Sequence, residues 1–170
     1  MGPEARHTVA TLTRLRQEIS EDREAMALRV AEIEEATTHL QERPWTSHAA
    51  MAVHGWYTAL EATLERIART LDGDVPGGER WHRDLLSQLT VEVPGVRPAV
   101  LPRALLPELL ELLAFRHFFR HAYAATVDLA KLAPELERVS RIGPDVQKAL
   151  EALDGYLEAT VRALTSGGEV

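Results

Sequence analysis

Phe115-Arg116-His117-Phe118-Phe119-Arg120-His121-Ala122-Tyr123 closes an apolar run that begins near Leu101. It sets two arginines, two histidines and a tyrosine among Phe and Ala, and no Asp or Glu occurs between Glu111 and Asp128. At about 100° per residue, Leu105, Leu109, Leu112 and Leu113 fall on one helical stripe, the face that a bundle helix buries. Arg116 and Arg120 continue that stripe, as does Tyr123 if the helix extends that far. His117 and His121 lie on its shoulder. Phe115, Phe118 and Phe119 lie on the other side, where core or dimer contact is expected. A buried unpaired charge is costly. The two arginines must therefore meet carboxylates of a neighbouring helix or open into a cleft.

Outward from this stretch the pattern is helical throughout. Pro102 and Pro107 frame the start of the central helix, because proline is tolerated in a first turn. The helix is expected to run from residues 103–105 to about 122. N-terminal to it, Val9, Leu12, Leu15, Ile19, Met26, Val30, Ile33 and Leu40 recur at helical steps over residues 3–41. Pro44 is read as the stop of that helix. A second helix is expected over 47–71, with Ser47 as N-cap and Met51, His54, Tyr57, Leu60, Leu64, Ile67 and Leu71 as its apolar face. Asp72-Gly73-Asp74-Val75-Pro76-Gly77-Gly78 reads as a loop. A short third helix is expected over 79–90, with Trp81, Leu85, Leu86 and Leu89 inward. Residues 93–98 form an irregular connection. After Asp128 a last helix is expected to reach about Ser166, kinked or broken at Gly143-Pro144. Helices with short connections and no alternating strand pattern indicate an all-α antiparallel bundle of four to six helices in a single domain, residues 1–170.

The chain has 170 residues, 45% apolar and 26% charged, with a net charge of −7. That balance lacks the basic footprint of a protein that grips long duplex nucleic acid. There is no cysteine, hence no disulfide or thiolate metal site. No signal pattern or long apolar run is present, so no membrane association and a cytoplasmic location are expected. His48 and His54 are six residues apart and do not sit side by side on a helix. Glu79-x-x-His82 has the spacing of di-iron bundle proteins, but those need a second such pair. No metal or other cofactor is expected.

Arg116, four residues, His121, one residue, Tyr123 resembles the signature of HEPN-domain proteins, the tyrosine being that of the HepT toxin branch. The wording of residues 109–123 is similar to that of HepT-like ribonucleases. So are Tyr57-x-x-x-Glu61 and Trp81-His82-x-x-Leu85-Leu86, which extend the resemblance over roughly residues 47–163. It implies a helical homodimer that cuts RNA without a metal, with arginine and histidine of both protomers lining a cleft at the interface. It implies a partner, a minimal nucleotidyltransferase antitoxin, that adds AMP to the motif tyrosine. Carried over by position, Arg116 and His121 are catalytic and Tyr123 is the modification target. His117 stands where the family commonly has a small polar residue. His117 and Arg120 are candidate supporting residues.

The chemistry fits those residue types. Metal-free RNA cleavage needs a base for the 2′-OH proton and an acid for the leaving 5′-oxygen, and histidine suits either role. A guanidinium stabilises the charge that develops on the phosphate. Arg116 and His121 are about 140° apart on one helix, too divergent to meet on one side. A second copy across a two-fold axis would bring both pairs into a shared groove. The alternative is a non-catalytic HEPN module that binds a nucleotidyltransferase, which the acidic net charge favours. A third reading makes the cluster structural, with Arg116 and Arg120 each sealed in a carboxylate pair.

Overall fold

The computed structural model describes residues 1–121 and 128–167, apart from the side chains of Arg43 and His121. Within them lie five α-helices: α1 (Pro3–Thr37), α2 (Arg43–Ile67), α3 (Trp81–Leu89), α4 (Leu106–His121) and α5 (Leu129–Ser166). A π-helical turn, Ala68–Asp72, extends α2, and a 3-10 turn, Arg103–Leu105, leads into α4. No strand is present among the described residues; the loop after α3 carries one isolated bridge, Val93 with Arg97. Among the described residues no helix is long and apolar enough to cross a membrane.

The four longer helices form an antiparallel square. Arg16 on α1 donates to Asp154 on α5 at 2.7 and 3.1 Å, and Arg23 donates to Gln147 at 3.1 Å. Rising numbers on α1 meet falling numbers on α5. Asp22 on α1 accepts from Thr63 on α2 at 2.9 Å and pairs with Arg66, while Arg29 crosses α2 at Gly55. On the far side, α4 runs opposite to both neighbours: Arg116 meets Glu61 of α2, and Arg138 of α5 donates to Glu108 at 3.0 Å. Inside this square Leu15, Ile19, Met26, Ile33, Trp56, Leu60, Leu64, Leu109, Leu112, Leu132, Val139, Val146 and Leu150 are buried. The short α3 lies outside it, packed on α2 and α4.

Three boundaries depart from the sequence reading. Pro44 does not end the first helix; it lies in the first turn of α2, where its missing N–H costs nothing. α1 has already ended at Thr37, and Ser47 is inside α2 rather than its cap. Met51, expected on the buried face, is 64% exposed, because Trp56 and the alanines 49, 50 and 52 set the phase of that face. α5 continues without interruption through Pro134 and Gly143-Pro144. A proline ring pushes the preceding residue out of the helical region partly through its Cβ, and Gly143 has none. Ile142 and Val146, buried on either side, hold the helix to the core. Asp128 is its N-cap, accepting from the Ala130 N–H at 2.9 Å.

The extended α2 ends at Gly73, whose φ of 76° is the left-handed C-cap conformation that glycine adopts without strain. Next to it, buried Arg97 pins the loop after α3. Its Nε and Nη2 donate to Asp72 at 2.6 and 2.7 Å, and its other donors reach the carbonyls of Val91, Pro98 and Gln88. Burial alone would raise the Asp72 pKa, but the hydrogen bonds from Arg97 and Gln88 outweigh it and hold the carboxyl below its ordinary value. A depressed folded-state pKa contributes stability that is present above the unfolded value, about 3.9 for Asp. It is lost as pH falls through the folded value. Asp72→Asn should therefore cost about 1–3 kcal/mol at neutral pH and flatten the acid limb of the stability curve. Urea titrations from pH 7 to pH 2 would check this; an unchanged acid limb would show that the pair contributes nothing.

Candidate functional site

His54, Tyr57 and Glu61 follow one another along α2 at helical spacing and face α4. Across the seam, the α4 leucine stripe continues into Arg116, which is 8% exposed. Its Nε lies 3.5 Å from Glu61 Oε2, an ion pair rather than a hydrogen bond. Arg116 Nε and Nη1, Glu61 Oε2, Tyr57 Oη and His54 Nε2 are all buried with no hydrogen-bond partner among the described residues. Burial pushes the Tyr57 hydroxyl pKa up, Glu61 adding to it and Arg116 opposing. Burial pushes the His54 pKa down, and Arg116 and Arg120 push it further. The seam thus holds two neutral polar rings around one buried ion pair. His54 also packs on the Phe119 ring, centroids 5.3 Å apart, while His48 lies against Trp45. The two histidines serve separate contacts.

The second oxygen of Glu61 faces α3. Its Oε1 lies 2.5 Å from His82 Nδ1. The His82 side chain is only 12% exposed, with the Trp81 ring stacked on it at 3.7 Å and the His117 ring edge-on at 5.2 Å. A groove of about 390 Å³ opens between α3 and α4 at this point. Glu79, Arg80, His82 and Arg83 line one wall, Glu111 and His117 the other. A single carboxylate therefore links a buried guanidinium to an imidazole at the edge of an open groove.

The expected residues are divided by this arrangement. Arg116 is buried on the stripe, as its phase required, and it takes the first of the two solutions open to a buried arginine: a carboxylate of a neighbouring helix, Glu61, whose other oxygen reaches His82 at the groove. Arg120 departs from the expectation, being exposed rather than buried with Arg116. The structural reading with both arginines sealed in ion pairs is therefore not met. His117 lines the groove. Phe115 is buried and Phe119 packs on the core, but Phe118 is 42% exposed, with the Lys131 ammonium 4.8 Å from its ring centroid. The backbone of His121 ends α4; its side chain and the whole of Tyr123 lie outside the described residues. The spacing Glu79-x-x-His82 is not used as a pair, since His82 turns to Glu61.

Glu61 was the partner hardest to find from periodicity. Its signal is an acid on the apolar face of α2, between Leu60 and Leu64, with no neighbour on its own helix to neutralise it. A buried acid and a buried arginine on different helices each imply the other.

A family model described as HepT-like protein matches residues 48–157, nearly all of α2 through most of α5. The matched span contains Glu61, His82, Arg116, His121 and Tyr123. No curated protein and no solved structure matches the chain.

Proposed function

The chain belongs to the HepT-like family, a HEPN-type family, and on that premise we propose that it is an endoribonuclease toxin of a toxin–antitoxin pair, cutting RNA without a metal. The observation that carries this reading is the chain of contacts from buried Arg116 through Glu61 to His82, which lines the groove between α3 and α4 with His117 edge-on to it. In the proposed reaction the guanidinium stabilises charge on the phosphate as the 2′-oxygen attacks. His121 moves one of the two protons. Arg120 and His117 support the site electrostatically.

The working unit in this proposal is a homodimer with its cleft at the interface. Exposed Phe118 and Arg120, at the end of α4 that carries His121, would be covered or shared there. The cognate partner is a minimal nucleotidyltransferase antitoxin, and Tyr123 is its AMPylation target. Residues 1–170 form one domain in this reading, since α1, which precedes the matched span, packs along α2 and α5. The location is cytoplasmic.

The test is incubation of purified protein with RNA in EDTA. Cleavage is expected, and His121→Ala should reduce it by about 10²-fold or more with the fold intact. No cleavage by the native chain, together with stable binding to a nucleotidyltransferase, would establish the alternative, a non-catalytic HEPN module. The observation that favours that alternative is the engagement of Arg116 by Glu61, along with a net charge of −7 that repels RNA at long range.

A further inference from the structure

RNA cleavage by 2′-OH attack requires two proton carriers, and the motif on α4 supplies one histidine per chain. We infer that His82, oriented by Glu61, is a second proton-transfer group of the same site, contributed from α3 of the same protomer. This inference rests on the nuclease reading above.

The geometry is that of a carboxylate–imidazole pair. Glu61 Oε1 is 2.5 Å from His82 Nδ1, and a carboxylate accepts, so the Nδ1 position carries the hydrogen. In the neutral ring that leaves the lone pair on Nε2. The ring cannot swing freely. Trp81 stacks on one face at 3.7 Å, His117 meets it edge-on, and the side chain lines the groove while remaining largely buried. An imidazole needed only for packing does not require a buried carboxylate; burying that carboxylate beside it has a cost. Glu61 is placed to stabilise the imidazolium that forms when Nε2 takes a proton.

The step balances within one substrate. His82 Nε2 accepts the 2′-OH proton, the 2′-oxygen forms a bond to phosphorus, the bond from phosphorus to the 5′-oxygen breaks, and His121 protonates the leaving 5′-oxygen. The products are a 2′,3′-cyclic phosphate and a 5′-hydroxyl. The two histidines exchange protonation states, and proton exchange with water restores them. Glu61 is a positioning residue in this scheme. The other charged and titratable groups facing the ring or its groove are Arg116, His117 and Glu111 from α4, and Glu79, Arg80 and Arg83 beside it.

The experiment is metal-free cleavage of a short RNA across pH by the native chain, His82→Ala and Glu61→Gln, with melting curves for each. His82→Ala should cut about 10²-fold more slowly, lose the acid-side limb of the pH profile and regain rate on addition of free imidazole. Glu61→Gln should cut more slowly, and its nitrogen-15 spectrum should lose the fixed Nδ1-protonated form of His82. Nitrogen-15 spectra of the native chain should show neutral His82 protonated at Nδ1. If the alanine variant unfolds, that spectrum still decides whether Glu61 sets the ring: a ring protonated at Nε2 overturns it. A native chain that cuts RNA, with His82→Ala matching its rate and pH profile, overturns this role alone. A native chain that leaves RNA intact overturns the nuclease reading, and this role with it.

Discussion

Arg116→Ala is expected to lower RNA cleavage by about 10³-fold, the scale on which a lost transition-state donor is felt, while leaving a folded protein. Of the motif's two arginines Arg116 is the buried one, so it acts in a low-dielectric setting where charge stabilisation is strongest. Its removal also leaves Glu61 without its arginine. Breaking a buried pair outright costs about 3–5 kcal/mol, but Glu61 retains His82 at 2.5 Å, so the expected stability loss is smaller, about 1–3 kcal/mol. Arg116→Lys should not restore activity, because an ammonium cannot hold two phosphate oxygens in a fixed fork. Single-turnover cleavage beside a thermal melt separates the two effects. Full activity with a collapsed melting temperature would make Arg116 a structural ion-pair residue.

Leu112→Asp should leave no folded protein. Leu112 is fully buried where α4 faces the core of the square. The substitution removes about 2–5 kcal/mol of side-chain burial and puts a carboxylate into the apolar core, costing several kcal/mol more or forcing its protonation. Together these reach the whole stability of an ordinary domain, about 5–15 kcal/mol. Met51→Asp is the matching control. The apolar pattern of α2 put Met51 inside, but it faces solvent, so that variant should melt within a few degrees of the native chain. Circular dichroism of the two variants measures helix phase directly. A folded Leu112→Asp, or an unfolded Met51→Asp, would show that the faces are misassigned.

The fold was legible where periodicity was long and where turn chemistry was unambiguous. The leucine stripe of α4, the proline-framed start at residues 102–107 and the start of α5 after Asp128 needed no tertiary information. Pro44 misled, and Gly143-Pro144 did not break α5, for one reason. Proline marks a local restriction, and whether it opens, ends or merely perturbs a helix depends on the neighbouring residue and on packing elsewhere. Pro44 falls in a first turn, and Gly143 relieves the clash that would have broken α5. Met51 misled because alanines are weak markers of a face, and four buried residues around Trp56 outweighed it.

At the site, the burial of Arg116 followed from helix phase alone. Its partner did not, since Glu61 lies 55 positions earlier and contact across helices leaves no periodic trace. His82 was visible in Trp81-His82-x-x-Leu85-Leu86, but its neighbourhood with His117 depends on how α3 docks on α2 and α4. Arg120 shows the limit of a stripe: one turn beyond Arg116 the same helical phase is solvent-exposed, which periodicity alone does not foresee.

The central claim is that Arg116 and histidines of this site perform 2′-OH attack on RNA. Its most direct test is the chemistry of the fragment ends after incubation with RNA in EDTA. The account predicts fragments bearing 2′,3′-cyclic phosphates and 5′-hydroxyls, absent with Arg116→Ala. Fragments bearing 3′-hydroxyls and 5′-phosphates, or RNA left intact by the native chain, would contradict it.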